Sequence, residues 1–193
     1  MAEYWEPIRD RGNDTCSIWN QYNLDFLVGQ LTLPAHLSDV QAIEGMVQAR
    51  DDAEDFYDQA VDAKDANLSF LATVNVNAVR AILGNLEEGD ALFLELDDVG
   101  RMSNEGGGRI MGRARKLSTL WKKVNTARAA ATPVLDPLQV GPSLVAAVDT
   151  ALVANEPLLK SVTDKLASWN SSRRALKAMM DKVHTNNTRW YDA

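Results

Sequence analysis

The sequence predicts an all-α fold: an elongated helical bundle of about four main helices with an irregular, aromatic-rich N-terminal arm. Three observations predict it. No proline occurs between Pro34 and Pro133, and apolar residues through that span recur at helical spacing. Leu159, Val162, Leu166, Trp169, Arg173, Leu176, Met180, Val183, Asn187 and Trp190 step alternately by three and four residues, which is a sustained heptad seam. Leu92, Leu94 and Leu96 alternate like a strand, but one isolated strand has nothing to pair with, so a short helix is expected there.

Taken in order, residues 1–37 form the arm and 38–193 the bundle. The arm carries Pro7, Gly12, Gly29 and Pro34 as punctuation and Tyr4, Trp5, Trp19, Tyr22 and Phe26 as large rings. Ile18, Tyr22 and Phe26 fit one short helix over about Ser17 to Val28. The rings either anchor the arm on the bundle, since each can bury a large apolar area, or dock it on a neighbouring subunit. Ser38 is expected to cap a long helix over about 39–83, with Asp39 at the positive end of its dipole. A hairpin broken near Asp65 is the alternative. Gly100 to Gly108 reads as a linker and about 109–131 as the next helix, stopped by Thr132-Pro133. A proline-rich crossover leads to a short helix ending near Ala154. Asn155-Glu156-Pro157 then restarts the last one, because proline is tolerated in a first turn. The seam from Leu159 to Trp190 packs within the monomer, with Leu166 and Leu176 as core positions, or closes a coiled coil between copies with Asn187 setting register.

Charge excludes some partners and organises others. The 193 residues carry 20 Lys and Arg against 27 Asp and Glu, a net −7 that disfavours nucleic acid or an anionic membrane. The acids concentrate in 39–66 (nine acids, two bases) and 86–99 (six acids, no base), while 106–135 holds seven bases and no acid. The basic helix is therefore expected beside an acidic one. No apolar run reaches the length of a membrane span, and no basic n-region followed by an apolar stretch opens the chain. Cytoplasm is the default location, with no membrane partner.

Chemistry finds little purchase. The single cysteine, Cys16, excludes an intrachain disulfide and a multi-cysteine metal site. The two histidines, His36 in a loop and His184 near a helix end, complete no Glu-x-x-His pair of the kind a di-iron bundle needs. Gly107 to Gly112 has the gap of a P-loop, but Arg113-Ala114 stands where Lys-Ser/Thr would contact phosphate and magnesium. No nucleophile elbow is present. No catalytic, cofactor-binding or metal-binding residue is assigned, and no cofactor or small-molecule substrate is expected.

Leu33-Pro-Ala-His-Leu-Ser-Asp-Val40, Asn155-Glu-Pro-Leu-Leu-Lys160 and the terminal Trp190-Tyr191 resemble a group of uncharacterised bacterial long-helix bundle proteins. Some of these continue past the Trp-Tyr pair into a small β-sandwich. The resemblance implies a helical bundle and no activity. The expected function is a non-enzymatic structural or protein-interaction module, self-associating through helical seams and the N-terminal arm. Its candidate interaction residues are Tyr4, Trp5, Trp19, Tyr22, Phe26, Arg173, Asn187 and Trp190. The partner is expected to be a second copy or another protein. The alternatives are an electrostatic nucleic-acid binder using 109–128 and an enzyme with a carboxylate site between helices.

Overall fold

The computed structural model describes residues 5–22, 31–86 and 91–191. Five helices and no strand occur among the described residues: α1 (Glu6–Gln21), α2 (Leu33–Leu83), α3 (Ala91–Gly100), α4 (Gly107–Ala130) and α5 (Val145–Tyr191). The all-α class is as the sequence predicts. By contacts the chain falls into two units. One unit comprises residues 1–59 with 163–193, and the other comprises 60–162.

In the first unit, α1 begins eleven residues earlier than the spacing of Ile18, Tyr22 and Phe26 predicts. Pro7 sits in its first turn, where a missing amide N–H costs nothing, and Glu6 meets the positive end of the dipole. The buried face is Trp5, Gly12, Thr15, Cys16 and Trp19, with Ile8 partly covered. Its small and polar members hid the period, while Ile18 and Tyr22 face outward. Gly12 is a point of close approach: a Cβ there would lie 2.6 Å from Val40 Cγ2. Phe26 and the rest of 23–30 lie outside the described residues, as does Tyr4.

α2 is one uninterrupted helix of 51 residues, so the continuous reading holds over the hairpin. Its start is corrected from Ser38 to Leu33. Thr32 accepts the Ala35 amide at 3.4 Å, and Pro34 lies in the first turn. His36 is thereby moved from a loop into the first helical turn. Val40, Ile43 and Val47 of α2 pack with Trp5 and with Leu176 and Val183 of α5 to form this unit's core.

The second unit is larger in its core. Leu71, Val74, Ala78 and Ile82 of α2, Leu96 and Val99 of α3, Leu117, Trp121 and Val124 of α4, and Val148 and Ala151 of α5 are buried together. Among the described helices α2 alone is long and apolar enough, by length and composition, to cross a membrane. Of that apolar window 28% is buried, including Leu71, Val74, Ala78 and Ile82. The 91–98 segment is helical as expected, with Leu96 and Val99 inward. The glycine-rich linker is tied down by buried Asn75, whose amide donates to Asn104 Oδ1 (2.9 Å) and to the Ile110 carbonyl (3.1 Å). Asn104 in turn donates to the Ala72 carbonyl at 2.8 Å. Gly106, at φ +78°, supplies the left-handed residue from which α4 starts.

The expected break at Asn155 to Pro157 does not occur: α5 runs through Pro157. Proline in a helix interior leaves the carbonyl four residues earlier without its donor. That residue, Val153, is 77% exposed, so water can take the orphaned acceptor. The seam of α5 is also corrected. Leu176, Val183 and Asn187 are buried, and Val162, Trp169, Met180 and Trp190 are half-buried. Leu159, Leu166 and Arg173 are exposed, so the three-four period of the sequence includes positions that the fold leaves in water.

Candidate functional site

The described part of the first unit presents one open helical face. Gly45, Ala49, Asp52, Phe56 and Gln59 step by four, three, four and three along α2, so they share one side of that helix. Lys165, Ser168, Ser172 and Ala175, stepping by three, four and three, do the same on α5. Lys165 Nζ lies 4.8 Å from the centre of the Phe56 ring, which places the two rows on the same side of the α2/α5 pair. Gly45 has no atom within 4 Å of where a Cβ would stand, so this side is uncovered there. Phe56 is 51% exposed. A cation over an exposed ring contributes only about 0.5–1 kcal/mol and leaves the other ring face available.

The inner side of the same pair is filled by rings. Tyr57 stacks on Trp169 with centroids 5.5 Å apart and planes 19° from parallel. Arg173 places its guanidinium 5.2 Å from the Trp169 centre, one helical turn along α5. Ala53 is the buried residue of α2 between them, small enough to let the helices approach. Arg173, a candidate interaction residue from the sequence, is thus engaged with a neighbour in its own chain.

The other candidates fall in different places. Trp5 and Trp19 are buried as anchors of α1, and Arg9 lies 4.8 Å over the Trp5 ring. Tyr22 is 64% exposed. Trp190 is half-buried and meets Tyr191 edge-on at 5.1 Å, while Arg11 sits over Tyr191. Asn187 is fully buried and its Oδ1 lies 2.9 Å from His36 Nε2. Phe56 was the residue the sequence reading missed. The available signal was a Phe-Tyr pair inside a run of acids, Asp51 to Asp58.

The His36–Asn187 pair is the polar centre of this unit. His36 is 0% exposed and its Nδ1 has no hydrogen-bond partner among the described residues. Burial pushes its pKa below the ordinary imidazole value, opposed by the Asn187 hydrogen bond and by Asp39, and reinforced by Lys182. Asp39 and Lys182 pair at 2.7 Å. The sign follows from that direction. As pH falls below about 6.5 the unfolded chain takes up the proton first, so stability is complete above that pH and declines below it. Urea midpoints are expected to fall between pH 7 and pH 5, and His36→Gln is expected to flatten that fall. An equal pH dependence in both proteins would assign it to other groups.

The basic helix is only partly free. Lys122 pairs with Asp149 and Lys123 with Glu95, both at 2.7 Å. Buried Arg113 donates to the Met102 carbonyl at 2.9 Å, and Arg128 to the Asp136 carbonyl at 2.7 Å. Two acidic partners therefore come from 86–99 and from α5. Arg109, Arg115 and Lys116 are exposed. Between α3 and α4 lies an open depression of about 280 Å³ lined by Glu95, Asp98 and Lys116. Both carboxylates are exposed. Among the described residues no three His, Cys, Asp or Glu side chains converge on a possible metal position. Cys16 is buried, and burial pushes its thiol pKa up.

No protein-family model, curated protein or solved structure matches this chain.

Proposed function

We propose that the chain is a non-enzymatic structural or protein-interaction module that self-associates. One observation supports the reading above the others: the first unit leaves an aromatic ring, Phe56, half in water on a side of α2 and α5 that also carries Gly45, Ala49, Asp52, Lys165, Ser168 and Ser172. A ring of that size gains from burial, and a well-placed aromatic side chain is a common centre of an interface. Exposed Leu166 adds a second apolar group that the chain's own packing does not use. Light scattering from 1 to 100 µM tests the proposal. A mass above the 21.3 kDa of one chain is expected, rising with concentration. A mass of one chain throughout would overturn it.

A second reading, electrostatic binding of nucleic acid by α4, draws on the exposed Arg109, Arg115 and Lys116. Three exposed bases neutralise few phosphates, and the net −7 opposes association, so this reading is the weaker one.

A further inference from the structure

We infer that His36 is an acid-sensitive latch: taking up a proton releases the start of α2 from the end of α5 and opens that end of the first unit, while the second unit keeps its fold. Asn187 Oδ1 can only accept, so His36 Nε2, 2.9 Å away, donates to it and the neutral ring carries its proton there. A second proton can then enter only at Nδ1. That atom is buried and has no hydrogen-bond partner among the described residues. A buried N–H without an acceptor is costly, and more so when it carries a charge. Protonation is therefore coupled to moving the ring toward water, which breaks its tie to Asn187.

The groups facing the ring set the size of that coupling. Burial is the largest influence against the charged ring, and the Asn187 hydrogen bond works the other way. On α2, Asp39 lies one turn along and favours the imidazolium. On α5, Lys182 disfavours it, and Asp39 is already paired with Lys182 at 2.7 Å. α1 brings no charge that acts on the ring. It approaches instead through Gly12, against Val40 and Val183, with Thr15 one turn on donating its hydroxyl to the Arg11 carbonyl at 2.8 Å. The two ties, His36 to Asn187 and Lys182 to Asp39, join the first turns of α2 to the last turns of α5. What they close over is apolar: Trp5, Val40 and Val183 are buried in this core. Release of the latch would uncover that core where α1 is seated on it.

The test is amide hydrogen exchange of the full chain between pH 7 and pH 5, expressed as protection relative to the intrinsic rate at each pH. Protection in α1 and in the last turns of α5 is expected to fall about tenfold at pH 5, and protection around Leu117 and Trp121 to hold. His36→Gln, whose side-chain amide can still donate to Asn187, is expected to keep its pH 7 protection at pH 5. His184→Gln changes the exposed histidine and is expected to leave the loss as in the wild type. Two further variants break the same ion pair with opposite results. Lys182→Met removes a charge that opposes the proton in the closed state, so the acid-induced loss shrinks. Asp39→Asn removes one that favours it, so the loss grows. The Lys182 side chain is 56% exposed, so its replacement is tolerated even if His36→Gln fails to fold. Full protection of the wild type at pH 5, an equal loss in both units, a loss that persists in His36→Gln, or the same response from Lys182→Met and Asp39→Asn would each overturn the latch.

Discussion

Replacing Trp121 by alanine is expected to destabilise the protein by about 3–5 kcal/mol, as for other large aromatic truncations in a close-packed core. Trp121 is fully buried at the centre of the second unit's core. Its indole N–H also donates to the Leu138 carbonyl at 2.8 Å. Asn125, one turn further along α4, accepts the Leu138 amide at 2.7 Å. These two bonds hold the proline-rich crossover against the helix, so truncation removes core volume and frees a connection together. Trp121→Phe keeps most of the volume and loses the hydrogen bond, and about 1–3 kcal/mol is expected for it. Urea unfolding followed at 222 nm measures both. A Trp121→Ala loss under 1 kcal/mol would show that the crossover and α4 are not packed as described.

The second large effect separates two leucines that the heptad seam makes equivalent. Leu176→Ala is expected to cost about 2–5 kcal/mol and Leu166→Ala less than about 1 kcal/mol. Leu176 is 4% exposed and packs with Val40, Ile43, Val47 and Val183, whereas Leu166 is 37% exposed. The measurement is thermal or urea unfolding at a concentration low enough to keep the protein monomeric. Equal losses would mean that the seam is covered along its whole length.

These leucines also show where sequence reading reaches its limit. A period of three and four says that residues share one side of a helix. It does not say how far along that helix a neighbour extends. Within the same seam of α5, Leu166 is left in water while Val183 is fully buried. The start of α2 shows a second limit. Ser38 and Thr32 are both suitable caps, and Pro34 between them is compatible with a first turn as well as with a break. The buried His36–Asn187 hydrogen bond makes the extra helical turn part of the packing, and the two residues are 151 positions apart in the chain. Likewise Gly12 reads as punctuation until Val40 is brought against it.

The open face divides in the same way. Its two rows could be written down from spacing alone, because Phe56 with Asp52 and Lys165 with Ser168 are each set by the 3.6-residue turn. That the rows belong together depended on the Lys165–Phe56 contact between distant helices.

By itself the amino-acid order determined the all-α class, the unbroken course of α2, the helix at 91–100 and the charge sorting among segments. All of these follow from backbone geometry and local side-chain spacing, which act over a few residues. Tertiary structure alone decided that α5 continues through Pro157, that α1 starts at Glu6, and which apolar residues remain in water. Each of these depends on what lies alongside in space: solvent to satisfy a carbonyl, Val40 to receive a glycine, or Lys165 of α5 beside a Phe56 ring left half in water.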